Sequence, residues 1–295
     1  SNPEFLREGK AVGDFINPDR IVIGIEKGDE YAEEEIRKLY EPFRGKILVT
    51  DLRSSELIKY ASNSYLALKI SFINELSILA ERLGLDITKV ADFIGEDPLK
   101  DSWEREYGLK APMGRIRRAF LNAGIGFGGS CFPKDVSAFA KMASDLHVHE
   151  GIFKEISDVN KRQKVRFAEK IVSTFKRLRI EDPKVAILGL AFKEDTDDVR
   201  ESPALDIIKH LAEAGIKIRA YDPNPGAREN ALQRLKEMGL SEKIEHLDIA
   251  IFDNMDEALR GSDAVAITAE WSDFRFDREQ LKNIGNILEN KIIFD

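Results

Sequence analysis

KVAILGLAF (184–192), SPALDIIKHLAEAG (202–215) and IKIRAYDP (216–223) decide the fold of this chain. The first is a short apolar run of the kind that fills a strand buried on both faces. The second opens on Ser-Pro and closes on Gly, the start and stop signals of a helix. The third is a strand again. A strand, helix and strand in this order imply a right-handed crossover and a parallel sheet. ARENALQRLKEMG (227–239) adds a helix, and DAVAITAEW (263–271) and KIIFD (291–295) add strands. Residues 179–295 therefore read as a doubly wound, Rossmann-like domain. Its first turn, GLAFKEDTDD (189–198), lacks the glycine spacing of a dinucleotide fingerprint. Asp222 ends the second strand, where a ribose-binding acid is expected. The domain is thus expected to hold a nucleotide in its own manner, or to be purely structural.

Upstream, SSELIKYASNSYLALKISFINELSILAERLG (54–84) runs without Pro or Gly to Gly84. Apolar or small residues recur at 57, 61, 65, 68, 72, 76, 79 and 83, and Ile58, Leu66, Ile70 and Ile73 point in other directions. A helix apolar on more than one side is packed on more than one side. This predicts a central connecting helix of ~45 Å that also serves as a subunit interface, capped by Ser54 or Ser55. DITKVADFIG (86–95) is a shorter helix, EDPLKDSWEREYGLKAPMGR (96–115) a charged surface insertion, and AFLNAGIGFGGSCFPKD (119–135) a glycine-rich loop entering a helix near Pro133 that continues to about Leu178. Ahead of these, PDRIVIGIEKG (18–28) and GKILVTD (45–51) read as strands around a helix at 33–43. The expected division is 1–50, the remnant of an α/β domain; 51–178, a helical catalytic and dimerisation domain; and 179–295.

The 295 residues are 43% apolar and 33% charged, which suits packed domains and excludes intrinsic disorder. Lys+Arg 45 against Asp+Glu 53 gives a net charge of −8, which disfavours nucleic acid and anionic membrane as partners. No apolar run approaches the ~20 residues of a membrane span. The single cysteine excludes an internal disulfide and fits a reducing, cytoplasmic setting. Four scattered His make no zinc pattern, and no metal is expected; His147 and His149 read as surface residues.

The cysteine is the first candidate for chemistry. Cys131 lies between GIGFGGS and a helix start, where the positive helix end and Lys134 favour a thiolate. Asp135 follows at i+4, on the same helix face. A small buried hydrophobe is the alternative. Gly124, Gly126, Gly128 and Gly129 let backbone approach a ligand closely. GIGFGG resembles a dinucleotide fingerprint but follows no strand. Lys59 and Asn63 stand at i,i+4 on the long helix, either paired in its interior or facing water. Glu4 and Glu8 read from composition as solvent-facing acids. Lys193 and Arg200, flanking a charged run, are candidates to clamp phosphates.

NPEFLREGKAVGDF…PDRIVIG (2–24), ELIKYASNSYLALKISFINE (56–75), FLNAGIGFGGSCFPKD (120–135), LGLAFKEDTDDVRESPA (188–204) and YDP (221–223) together resemble the nucleotide-sugar 6-dehydrogenases of the UDP-glucose/GDP-mannose dehydrogenase family. The resemblance runs nearly end to end and in family order. It implies a homodimer through the central helix. It also implies NAD as cofactor and a four-electron oxidation of UDP-glucose to UDP-glucuronate through a thiohemiacetal and a thioester. In that reading Cys131 is the nucleophile. Lys59, Asn63 and Asp135 surround the sugar C6, and Glu8 assists thioester hydrolysis. Glu4, Phe120, Leu121 and Gly128 line the substrate site, Arg115 reaches the sugar of a neighbouring subunit, and Lys193 meets the diphosphate. Lys134 and Arg200 meet NAD. The same resemblance leads us to expect that the family's N-terminal NAD-binding domain and its closing substrate Arg segment are absent. The chain would then be the catalytic and substrate-binding part, inactive in isolation. GDP-mannose oxidation, or a non-catalytic nucleotide-sugar-binding or dimerisation module, are the competing expectations. FLNAGIGFGGSCFPKD (120–135) and EWSDF (270–274) look more like the UDP-glucose branch.

Overall fold

In the computed structural model, residues 1–95 and 118–295 are described. The expected insertion and Arg115 lie outside them. The chain starts with a short helix α1 (Ala11–Ile16), then β1 (Arg20–Ile25), α2 (Glu30–Tyr40) and β2 (Lys46–Asp51). β1 and β2 pair in parallel, with Ile23 opposite Val49.

The last residue of β2 starts the next helix. Asp51 accepts a hydrogen bond from Ser54 N at 2.9 Å, so it, and not Ser54 or Ser55, caps α3 (Leu52–Leu83). Gly84 closes α3 in the left-handed conformation, φ 67°. α3 packs on β1, on α4 (Ile87–Gly95), and on α5 (Cys131–Asp145) and α6 (Gly151–Leu178). The helical region 131–178 is thus two helices with a break at residues 146–150. α5 begins two residues earlier than its proline suggested. Pro133 still fits, because the first helical turn has no intrahelical use for its N–H.

The C-terminal sheet has the order β5-β4-β3-β6-β7, all parallel: β3 (Lys184–Leu188), β4 (Lys217–Tyr221), β5 (Ile249–Ile251), β6 (Ala264–Ile267) and β7 (Ile292–Phe294). Its strands alternate between two cores. Val185 and Ile187 face α6, α7 (Pro203–Glu213) and α8 (Pro225–Leu235), while Ala186 and Leu188 face the helices at 255–259 and 278–287. A parallel sheet covered on both sides is the doubly wound arrangement expected. The second half of α6, at Ala168, Ile171 and Phe175, is embedded in the first of these cores. One rigid helix therefore runs from the sheet domain to the central helices.

Candidate active site

Cys131 is the first residue of α5 and its thiol is exposed. Ser130, which precedes it, places its Oγ 3.7 Å from Sγ. One turn on, Asp135 is only 1% exposed. Its Oδ2 accepts from Asn63 Nδ2 at 2.6 Å, and its Oδ1 accepts from Lys134 Nζ at 2.7 Å. A carboxylate buried this deeply needs such partners. Pairing with Asp135 also holds the Lys134 ammonium above its usual pKa. Lys59, one turn before Asn63 on α3, donates to the backbone O of Glu4 at 2.5 Å and to Glu4 Oε1 at 3.1 Å. Lys59, Lys134 and Asp135 line a cavity of about 250 Å³ with Asn2, Glu56 and Tyr60. Of the residues expected around one reacting carbon, the fold thus brings together Lys59, Asn63, Asp135 and Glu4, with Cys131 one turn away from Asp135.

Glu8, in the segment before α1, is set apart from that cavity and rests against the turn between β3 and α7. It accepts from Thr196 Oγ1 at 2.8 Å, and its backbone O accepts from Lys193 Nζ at 2.6 Å. Burial draws the Lys193 pKa down, with Glu8 opposing. Arg200 makes a two-pronged pair with Asp198, at 2.9 and 2.8 Å. Burial pushes the Asp198 carboxyl up, but Arg200 and Glu8 outweigh it and leave Asp198 below the ordinary range. A thiolate at Cys131 would favour the charged forms of Lys134, Lys193 and Arg200 alike. These three cations are therefore the electrostatic surroundings of the thiol.

A second, larger cavity of about 720 Å³ lies between α4, the 118–123 segment and the ends of β6 and β7. Leu121 lines it, as do Trp271, Arg275 and Phe276. Phe120 and Gly128 do not. Phe120 is 39% exposed, with its ring 6.1 Å from that of Phe132. A Cβ on Gly128 would meet Glu201 O at 2.4 Å and Phe192 Cβ at 3.1 Å, so what approaches this glycine is the C-terminal domain, not a ligand. Asp222 is also reassigned. It is wholly buried, and its Oδ2 accepts from Leu190 N at 2.6 Å and Ala191 N at 3.0 Å, so it braces the first turn of the sheet domain and is not free for a ribose. The sequence reading missed Asn74, a buried residue of α3 whose Oδ1 accepts from Gly124 N at 2.8 Å, together with Thr196 and Asp198, and the buried polar residues Asn160, Gln163 and Lys164 of α6. Their spacing of i, i+3 and i+4 was the available signal.

Comparison with known proteins follows this geometry. Three family models match in chain order: the NAD binding domain of the UDP-glucose/GDP-mannose dehydrogenase family over residues 1–44, its central domain over 53–162 and its UDP binding domain over 186–295. The chain belongs to the UDP-glucose/GDP-mannose dehydrogenase family. Among its relatives is a UDP-glucose 6-dehydrogenase of Rickettsia conorii, 40% identical over 100% of this chain and 61% of the relative. Another is the UDP-glucose 6-dehydrogenase YwqF of Bacillus subtilis, 39% identical over 100% of this chain and 59% of the relative. A solved UDP-glucose dehydrogenase from Pyrobaculum islandicum superposes with a TM-score of 0.74 at 36% identity, covering 94% of this chain and 57% of that one. The chain spans about 60% of the length of the curated relatives it matches.

These matches correct one expectation. The NAD-binding part is not absent, because residues 1–44 match that domain. NAD is the cofactor this match assigns. Among the described residues, the turn after β1 reads EKGDE (26–30) and carries no glycine fingerprint. The groups that fit an anionic cofactor are the Lys134 and Arg200 side chains, 67% and 65% exposed beside the thiol.

Proposed function

We propose that this chain supplies the catalytic and substrate-binding groups for the NAD-dependent oxidation of UDP-glucose to UDP-glucuronate. The observation that carries the reading is an exposed thiol at the first residue of a helix, one turn from a buried carboxylate locked to Asn63. Relatives about 40% identical that bear the name UDP-glucose 6-dehydrogenase support it. In this reading residues 1–50, 51–178 and 179–295 are the three functional parts.

Bound NAD supplies the hydride acceptor, twice per sugar. The chain's residues do the rest. Loss of a hydride from C6 and of the hydroxyl proton turns the sugar alcohol into the aldehyde; the Cys131 thiol then adds across its C=O, Sγ bonding to C6 and the thiol proton passing to the oxygen, which becomes a hydroxyl. Lys59 stabilises the negative charge that develops on that oxygen. Loss of the C6 hydride together with the hydroxyl proton then leaves a thioester. Asp135, held by Asn63, orders the water that attacks it, Glu8 assists that attack, and cleavage of S–C6 returns the thiol and releases the carboxylate. Leu121 and the large cavity receive the nucleoside. Glu4 and Phe120 shape the approach to the sugar, Arg115 reaches a neighbouring subunit's sugar, and Lys193 meets the diphosphate. Lys134 and Arg200 meet the cofactor. We further propose a homodimer through the face of α3 that leaves Leu57, Tyr65, Phe72 and Leu79 exposed. On its single free thiol we place the protein in the cytoplasm.

The test is titration calorimetry of the 295-residue chain with UDP-glucose and GDP-mannose, followed by turnover with NAD. Binding of UDP-glucose in preference to GDP-mannose, with two NADH formed per UDP-glucuronate, is expected. Preference for GDP-mannose, or binding of neither, refutes the reading.

A further inference from the structure

One turn of α6 carries three polar side chains where a helix embedded in protein usually presents apolar ones. Asn160, Gln163 and Lys164 are each 7–8% exposed. They stand at i, i+3 and i+4, hence on one face. A buried amide or ammonium is costly unless its hydrogen bonds are made, and here Asn160 and Gln163 make theirs to the glycine loop that leads into Cys131. Asn160 closes a two-way clasp on one residue of the glycine loop: Phe127 N donates to its Oδ1 at 2.7 Å, and its Nδ2 donates to Phe127 O at 2.9 Å. Gln163 Nε2 donates to Gly124 O at 2.7 Å. The space beside Asn160 is tight enough that a Cβ on Gly126, whose φ is +115°, would stand 2.6 Å from its Oδ1.

Lys164 reaches the other way, to the first turn of α7 and the end of the turn that carries Lys193 and Arg200. Its Nζ donates to Asp206 Oδ2 at 2.7 Å and lies 3.4 Å from Glu201 O. That same turn touches the loop directly, through Gly129 N donating to Arg200 O at 2.9 Å. The loop that leads into the thiol and the turn bearing Lys193 and Arg200 are therefore both tied to residues 160–164. The helix that carries them is fixed one turn later by Ala168 in the core of the C-terminal sheet.

We propose that Asn160, Gln163 and Lys164 are positioning residues that set the distance between the Cys131 loop and the 193–201 turn, and so hold the thiol beside Lys193 and Arg200. The proposal rests on the reading that Cys131 is the nucleophile. It does not require that UDP-glucose be the substrate. None of the three residues touches a reacting atom; they act through the backbone of Gly124, Phe127 and Glu201.

The experiment compares the unsubstituted chain with Asn160→Asp, which can accept from Phe127 N but cannot donate to Phe127 O, and with Gln163→Met, a near-isosteric change that removes the donor to Gly124 O. Three quantities are read: the second-order rate of Cys131 alkylation by iodoacetamide at neutral pH, amide hydrogen exchange of the 124–130 peptide, and the UDP-glucose dissociation constant. The expected result is alkylation slowed about tenfold and exchange of the 124–130 peptide accelerated by a similar factor, with UDP-glucose affinity changed less than about threefold. Wherever turnover is measured, kcat falls and KM holds. Alkylation within twofold of the unsubstituted chain in both folded variants overturns the proposal. Loss of the thermal transition in both variants also overturns it, because the amides would then support the fold as a whole. If Asn160→Asp alone fails to fold, Gln163→Met decides. Failure of the unsubstituted chain to bind UDP-glucose refutes the proposed function while leaving the alkylation result to judge the positioning role.

Discussion

Replacing Gly128 by Ala tests whether the glycine loop is shaped by protein contact. The new Cβ would lie 2.4 Å from Glu201 O and 2.9 Å from Glu201 C, both backbone atoms that cannot swing aside. To reach even 3.0 Å, the shortest approach a real Cβ tolerates, the loop and the turn must separate by about 0.6 Å. That motion stretches the hydrogen bond from Gly129 N to Arg200 O from 2.9 Å to about 3.5 Å, past useful range. Losing that bond costs about 1 kcal/mol, and crowding of this kind costs about 1–3 kcal/mol. A total of about 2–4 kcal/mol corresponds to a melting temperature lower by about 5–10 °C in a chain of this size. The control sits four residues away. Gly124 has no neighbour within 4 Å of its would-be Cβ and no positive φ, so Gly124→Ala is expected to melt within about 1 °C of the unsubstituted chain. Thermal melts by circular dichroism on the three proteins decide the matter. If Gly128→Ala melts with Gly124→Ala, the loop does not rest on Glu201 and the packing argument is wrong.

Cys131→Ser is expected to abolish formation of the sugar acid while UDP-glucose still binds within about threefold, measured by product mass and calorimetry; retained acid formation removes the nucleophile assignment. Phe72→Glu, at the centre of the exposed face of α3, is expected to shift the chain from dimer to monomer in sedimentation velocity, and an unchanged dimer moves the interface elsewhere. The Asp14 carboxyl is drawn down to about 2 from 3.8 by hydrogen bonding to Arg7, at 2.9 and 2.6 Å. A depressed carboxylate stabilises the fold above its unfolded value and loses that contribution as pH falls through its folded value. Asp14→Asn is therefore expected to be less stable than the unsubstituted chain at about pH 5, with the gap closing toward pH 2, in urea melts across that range; a gap independent of pH refutes the pairing.

What could be read from the sequence divides along a physical line. The parallel strands were legible because apolar runs between helix stop and start signals have few other solutions. The strand at 249–251 was not, since three residues carry no measurable alternation, and neither were the helices at 255–259 and 278–287 that cover the second face. The cap of α3 was misplaced by three residues because Asp51 serves as the end of β2 and the cap at once. Glycine marked the right loop but could not say what approaches it. At Gly128 the neighbour is Glu201, 73 residues away in sequence, and only the tertiary fold brings the two together.

The same distinction explains the site. Lys59 with Asn63, and Cys131 with Asp135, are pairs within one helix, where a spacing of four fixes the geometry before any tertiary contact exists. The bond that joins the pairs, Asn63 to Asp135, spans 72 residues and depends on α3 crossing α5. Sequence therefore supplies two half-sites and folding supplies their registration. The registration cannot come from α3 and α5 alone, because two of the three cations around the thiol, Lys193 and Arg200, sit on the C-terminal turn, outside either helix. An element that touches both lobes is required, and α6 is that element, with its first half packed against α3 and α5 and its second half in the core of the sheet. Its polar residues resemble solvent-facing ones in any reading of the chain alone, because helix periodicity reports which side chains share a face but not what lies opposite. For that reason the thiol proposed as nucleophile was legible in the sequence, while the α6 contacts proposed to position it needed the fold.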